Sequence, residues 1–335
     1  MNLVVADVGG TKTLVAVARN DDGVWRFTHR ERLVSGDYPS LPELLHDWLG
    51  SQFQGNGQVD GLGLAVAGPV TGSGHAATAR VTNLDWPSLE AGELGRRFDA
   101  PTVLINDFAA IGAGLDALGP EDTVTLQSIE PDSDGLRLVV GAGTGLGTCL
   151  VGPPSDSRIH AGEGGHADFS PADTWQSALA EWVREAEGRC TREHLLSGRG
   201  IARMARFLNR ENPDPGLNGA LETEDPAAAI GRLADAGHDP ALQVIQRFVS
   251  IYAGQLGDLA LTALPRGGIF IAGGIAPRLL EHFQAPAFLH AFRDKVPMQD
   301  LMEGLPLHLI VHPQPGLLGA AVTARRAVAT AGEHP

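Results

Sequence analysis

Cys149 and Cys190 are the only thiols in a chain of 335 residues. They are too few and too far apart for a thiolate zinc site, and they read as small core residues that stay reduced. Cationic side chains are also scarce, with 25 Lys and Arg against 40 Asp and Glu and a formal net charge of −15. Nucleic acid and anionic membrane surfaces both demand a basic face, so neither is an expected partner. No apolar run approaches the roughly 20 residues that span a bilayer, and Met1-Asn2-Leu3 lacks a basic stretch followed by a signal core. The expected location is cytoplasmic, with no targeting segment ahead of the first strand. The Walker pattern G-x-x-x-x-G-K-[ST] is missing too, and the glycine turns that do occur are followed by strands rather than by the helix of a dinucleotide fingerprint.

Glycine is abundant, at 43 residues, and two clusters of it organise the chain. Residues 3–17 read LVVADVGGTKTLVAV, two β-type runs joined by an acidic, glycine-rich turn. A near copy returns at 138–151 as LVVGAGTGLGTCLV, with Gly141 standing where Asp7 stood. Glycines allow positive φ and close approach of a ligand, and successive N–H groups in such a turn form an anion-binding concavity. Thr11 and Thr144 add hydroxyl donors at matching places. One such hairpin is an ordinary tight turn. Two, with an acid in only one, suggest two related lobes that offer Gly9, Gly10 and Thr11, and Gly143 and Thr144, to one polyphosphate, while Asp7 serves its metal.

At 43% hydrophobic residues the chain can fill two cores. Strands are expected at 24–27, 31–34, 61–67, 76–81 and 101–105, with a helix at 41–49 and another that Ser88 caps and that reaches Arg97. Strands and helices alternate, the mark of an α/β fold. Further strands fall at 123–126, 267–272 and 307–311, and helices at 175–186, 201–208, 227–236 and 240–264. The run at 212–216, NPDPG, reads as a loop, and an Ala-rich helix opens at Gly316.

Several polar residues fall where chemistry is done. Asp107 follows an apolar strand and opens a helix, where a side chain projects beyond the carboxyl edge of the sheet. It can be a base that accepts a hydroxyl proton during phosphoryl transfer, or simply the helix cap. Asn106 both donates and accepts, as a pair of sugar hydroxyls requires. Glu163 and His166 lie among Gly162, Gly164 and Gly165, suited to a polyol pocket; a metal half-site with His160 and a plain surface loop are the alternatives. Glu193 taken alone reads as a solvated helix residue.

Together LINDF at 104–108, GAGTGLG at 141–147, GEGGH at 162–166, LLSG at 195–198, FIAGGI at 270–275 and PGLLGAA at 315–321 resemble the zinc-free bacterial glucokinases of the sugar kinase, Hsp70 and actin superfamily. The resemblance runs over nearly the whole chain. It implies a two-lobed actin-like ATPase (ribonuclease H-like) α/β fold with a central interdomain cleft. The small lobe would be 1–112 with the terminal helix 316–331, and the large lobe 113–315. It further implies ATP-dependent phosphorylation of D-glucose with Mg2+, Asp107 as the catalytic base, and Asn106, Glu163, His166 and Glu193 as glucose ligands. Asp7 would meet Mg2+ through water, Gly273 and Gly274 would lie near adenosine, and a homodimer is the expected assembly. Lys12 departs from the family, which usually carries Asn after GGT. Rival readings are a kinase for another hexose or an amino sugar, and a sugar-binding regulator without catalysis.

Overall fold

The computed structural model describes residues 1–52, 58–156 and 158–332. Two compact units divide the chain, one of Met1–Pro120 together with the residues from His312 on, the other Glu121–Val311.

The first unit is built on a five-stranded sheet. Its order across the sheet is Val24–Val34, Lys12–Asp21, Leu3–Val8, Gly61–Val66 and Thr102–Asn106. The first three form an antiparallel meander and the last two run parallel to Leu3–Val8. Gly61–Val66 is buried at every position, which explains its unbroken apolar run, since a central parallel strand is covered on both faces. The edge strand Val24–Val34 instead alternates half-buried with exposed positions, and its arginines, Glu31 and His29 keep the edge polar. It is continuous where the residue pattern suggested two pieces. His29, at positive φ, lies where the ladder shifts register and absorbs an irregularity that sequence spacing reads as a turn.

Side chains alternate between two cores. Val4, Ala6, Val8, Leu62 and Leu64 pack with Leu41, Leu44, Leu45 and Trp48 of helix Leu41–Gln52. Leu3, Val5, Ala16, Ala18 and Ala65 meet Leu317, Ala320, Ala321 and Ala324 of helix Pro315–Gly332. That helix sits close because its facing residues are small. A Cβ on Gly63 would fall 2.1 Å from the Ala320 oxygen, and one on Gly319 would fall 1.5 Å from the Ala110 oxygen. Gly319→Ala is therefore expected to destabilise the protein by about 2–3 kcal/mol or more in denaturant unfolding. Gly50→Ala, on helix Leu41–Gln52 with open space around its Cβ, should be neutral or stabilising by up to about 1 kcal/mol. Equal midpoints for the two variants would refute the packing argument.

The second unit repeats the plan. Its six strands are ordered Ile159–Gly162, Leu146–Val151, Arg137–Ala142, Gly268–Ala272, Leu307–Ile310 and Thr123–Gln127. The duplication extends to register. Asp7 pairs with Leu14 on one side and Ala65 on the other, and Gly141 pairs with Gly147 and Ala272. The turns differ: Gly9 to Lys12 separate the paired Val8 and Thr13, whereas only Gly143, Thr144 and Gly145 separate Ala142 and Leu146. Counted from Asp7 and Gly141, Thr11 and Thr144 are thus offset by one position rather than matched. Helix Asp239–Ala263 forms the centre of the helical layer, and the buried Tyr252 hydroxyl donates to the Val140 oxygen at 3.1 Å, fastening helix to sheet.

Two local expectations change. Ser88 caps nothing: Leu89–Glu90 is a short strand paired with Thr78–Ala79, and the helix begins afterwards at Ala91. The NPDPG run is only partly a loop, because Asp214 caps helix Pro215–Leu221, accepting from Leu217 N–H at 2.8 Å. Proline punctuates a turn and also favours the first helical position, so composition alone does not separate the two. Among the described residues, no helix is long and apolar enough to cross a membrane.

Candidate active site

In the first unit the polar residues gather at the carboxyl edge of the parallel strands. Asp7 is the penultimate residue of Leu3–Val8, and through Ala65 it stands level with Ile105, two strand spacings or about 10 Å across the sheet. Its carboxylate receives no hydrogen bond among the described residues, and a Cβ on Gly316 would lie 3.4 Å from one of its oxygens. Burial pushes the Asp7 pKa up, partly opposed by the Arg32 cation. The turn beyond it is held by side chains that the sequence did not single out. Ser35 Oγ donates to the Gly9 oxygen at 2.8 Å and lies 3.0 Å from Thr13 Oγ1, and Ser35 N–H donates to the Thr11 oxygen at 3.0 Å. Gly10 packs so tightly that a Cβ would come within 2.4 Å of the Thr82 oxygen. Thr11 itself is exposed.

Asn106 ends strand Thr102–Asn106 and caps helix Asp107–Gly114. Its Oδ1 accepts from the N–H groups of Phe108 and Ala109 at 3.0 and 3.1 Å, and its Nδ2 donates to the Gly68 oxygen at 3.2 Å. One amide hydrogen of Asn106 is left for another partner. Asp107, half-buried in the first turn, accepts from Phe108 N–H at 2.9 Å. Asn106 is the principal cap, and Asp107 adds one bond to the same helix N-terminus.

In the second unit, Leu146 is where the elements meet. Its N–H donates to Glu193 Oε2 at 3.0 Å, and a Cβ on Gly165 would lie 2.1 Å from its oxygen. The turn Gly164–His166 and the short helix Arg192–Leu195 are thereby both seated on the second hairpin. Thr148 fixes the glycine run, donating to the Gly162 oxygen at 3.1 Å and accepting from Gly164 N–H at 3.2 Å. Glu163 and His166 stay open, 73% and 61% exposed, with Oε2 and Nε2 3.8 Å apart. Glu193 is different. Only 18% of its side chain is exposed and its Oε1 accepts from Arg199 at 3.2 Å, so it is no solvated helix residue. A Cβ on Gly145 would fall 2.4 Å from its Oε2, so a larger residue at this turn would push the Glu193 carboxylate out of its present place. Among the described residues, no three His, Cys, Asp or Glu side chains form a metal-binding group, and His160 has no such company.

A cavity of about 1030 Å3 opens beside the same hairpin, lined in part by Gly143, Thr144, Gly198, Arg199, Gly274 and Arg278. That is at the upper end of small-molecule sites, about 300–1,000 Å3. Gly273 stands behind it: at φ +83°, a Cβ there would lie 2.3 Å from the Ala142 oxygen. Five arginines against three carboxylates make the lining locally cationic in an acidic chain. These arginines escaped the sequence reading because Arg199, Arg203 and Arg206 look like the polar face of an ordinary helix, here Gly198–Asn209.

A family model described as Glucokinase matches residues 4–327. The glucokinase of Synechocystis sp. is 35% identical, covering 97% of this chain and 98% of its own length, and that of Pectobacterium atrosepticum is 33% identical over 98% of each. Among solved structures, glucokinase from an Antarctic psychrotroph superposes with a TM-score of 0.78 at 26% identity, covering 97% of this chain and 99% of that one. Glucokinase from Balamuthia mandrillaris in complex with glucose shares the fold, with a TM-score of 0.77 at 23% identity and coverage of 97% and 93%.

Proposed function

The chain belongs to the glucokinase family, with that family's actin- and Hsp70-like α/β fold, and from this we propose how its residues divide the ATP-dependent phosphorylation of D-glucose to glucose 6-phosphate. Asp107 is the base. It orients the C6 hydroxyl and takes its proton as that oxygen bonds to the γ-phosphorus and the bond to the β-phosphate oxygen breaks, releasing ADP. The observation that carries this role is the place of Asp107: half-buried, just past the carboxyl end of the parallel strand Thr102–Asn106 and beside the Asn106 cap, where a side chain reaches a substrate beyond the sheet edge. Asn106 has one N–H left for a sugar oxygen.

Glu163, His166 and Glu193 bind the sugar, gathered by their shared seat on Leu146. Gly9, Gly10 and Thr11 and Gly143 and Thr144 supply backbone and hydroxyl donors to the phosphates. Gly274 lines the cavity suited to adenosine and Gly273 shapes its wall. The chemistry at Asp7 suits Mg2+. A half-buried carboxylate, raised in pKa and without a hydrogen bond among the described residues, gains from a cation that keeps its own waters. Bound there, Mg2+ would neutralise phosphate charge as it develops. The acidic net charge and the lack of a membrane-crossing helix among the described residues support a cytoplasmic protein that binds no nucleic acid. Its assembly as a homodimer is tested by light scattering.

An ADP-release assay over a hexose panel should give glucose the highest kcat/KM, and a faster amino sugar or other hexose would transfer the assignment. Glu163→Gln and His166→Ala should each raise the glucose KM about 10–100-fold, the cost of about 1–3 kcal/mol for a polar partner lost, with the ATP KM little changed. Parallel increases in both constants would remove these two residues from the sugar site.

A further inference from the structure

We propose that Arg199 is a phosphate-binding residue of the nucleotide site, held in reserve by Glu193 and passed to the nucleotide when glucose takes its place on that carboxylate. The proposal rests on the assignment of Glu193 to the sugar. Position is the first argument. Gly198 N–H donates to the Gly143 oxygen at 2.9 Å, so Arg199 is the next residue after a direct tie to the phosphate turn, and both line the cavity with Thr144. The other lining arginines, Arg203, Arg206, Arg232 and Arg278, have no such tie among the described contacts. Arg203 is already committed to Glu187 and to the His194 oxygen.

Arg199 is also only loosely restrained. Glu193 has divided duties: Oε2 holds Leu146 N–H, and Oε1 receives a single contact from Arg199 at 3.2 Å. The arginine side chain is 65% exposed. A one-pronged contact whose cation stands mostly in water is weakly held, so it yields readily to a better partner. A sugar hydroxyl donating to Oε1 competes for the same oxygen. The displaced guanidinium then offers its planar fork to phosphate oxygens, where charge-assisted bonds are stronger than the one given up. In a chain carrying −15, such a local cation matters more than it would in a neutral one. Glucose and nucleotide should consequently favour one another's binding by the same factor.

The test is calorimetry on the full chain, with the β,γ-imido analogue of ATP and, separately, with adenosine. Arg199→Gln should weaken the analogue about tenfold with glucose present, as loss of a charged hydrogen bond implies, and leave adenosine unchanged. In the wild type, glucose should tighten the analogue about fivefold, a factor within the ordinary range of coupling between sites. In Arg199→Gln that factor should fall to about one, with glucose alone binding as well as before or better. Arg199→Lys, which keeps the charge and loses the fork, should fall between. Equal losses for the analogue and adenosine, or glucose binding weakened in Arg199→Gln, would make Arg199 a structural prop and overturn the proposal. Undiminished glucose binding by Glu193→Gln would instead strike at the sugar assignment, and the exchange would fall with it.

Discussion

Asp107→Asn should fold normally, bind glucose within about threefold of the wild type, and turn over roughly 10²–10⁴ times more slowly, the usual contribution of a positioned general base. The amide keeps the shape of the carboxylate and can still accept from Phe108 N–H, the bond that Asp107 makes at 2.9 Å. What it loses is the ability to take a proton. A helix N-terminus also favours negative charge, so a loss of about 0.3–1 kcal/mol of stability is expected from that source alone. Helix capping cannot mimic the predicted result, because the cap is Asn106, which accepts from both Phe108 and Ala109. Turnover of Asp107→Asn within threefold of the wild type would leave this acid a purely structural residue.

Asp7→Asn should do something less common, raising the melting temperature at neutral pH while removing at least 99% of the activity. Burial lifts the Asp7 pKa against the weaker opposing pull of the Arg32 cation, and among the described residues no hydrogen bond compensates the charged form. A carboxylate whose folded pKa lies above its unfolded value opposes folding when ionised. That opposition is complete above the folded pKa and vanishes as the pH falls below the ordinary carboxylate value near 3.8. The stability advantage of Asp7→Asn should therefore be largest at neutral pH and shrink on acidification. Loss of several kcal/mol of phosphate charge stabilisation accounts for the fall in rate, each 1.36 kcal/mol being about tenfold. Mg2+ with the ATP analogue should raise the wild-type melting temperature more than that of the variant. A less stable Asp7→Asn, or one retaining a tenth of the activity, would contradict the assignment of Asp7 to Mg2+.

The two hairpins were legible because short apolar runs bounded by glycine leave few alternatives to a strand–turn–strand. Their exact repetition of register, Asp7 between Leu14 and Ala65 and Gly141 between Gly147 and Ala272, needed the folded sheets. So did the inequality of their turns, since one extra residue in a glycine run is invisible without the pairing. Glu193 was unreadable for another reason: its burial depends on Leu146 and Gly145, nearly 50 positions away in the chain. Local pattern sees a helix and reports solvent. Ser35 gives no signal at all, because a serine after an edge strand looks the same whether or not it braces a distant turn. The strand ends carrying Asp7 and Asp107 were visible as acids following apolar runs, whereas the cavity and its arginines required elements from four separate stretches of chain to be placed around it.

The first unit is sewn from both ends of the chain, with all of Glu121–Val311 inserted between its parts. On a ribosome, the strands from Leu3 to Asn106 emerge early with one face covered by helix Leu41–Gln52 and the other offered only Ala110 of the short helix Asp107–Gly114. The face of Leu3, Val5, Ala16, Ala18 and Ala65 waits for Leu317, Ala320, Ala321 and Ala324. At synthesis rates of about 5–20 residues per second that wait is about 10–40 seconds, long beside the folding time of a small domain. The inserted unit has every strand of its sheet within its own boundaries and can close as soon as it is made. Birth order and folding order are thus reversed: the half translated first is completed last, and its bare apolar face is what a chaperone would meet on the nascent chain.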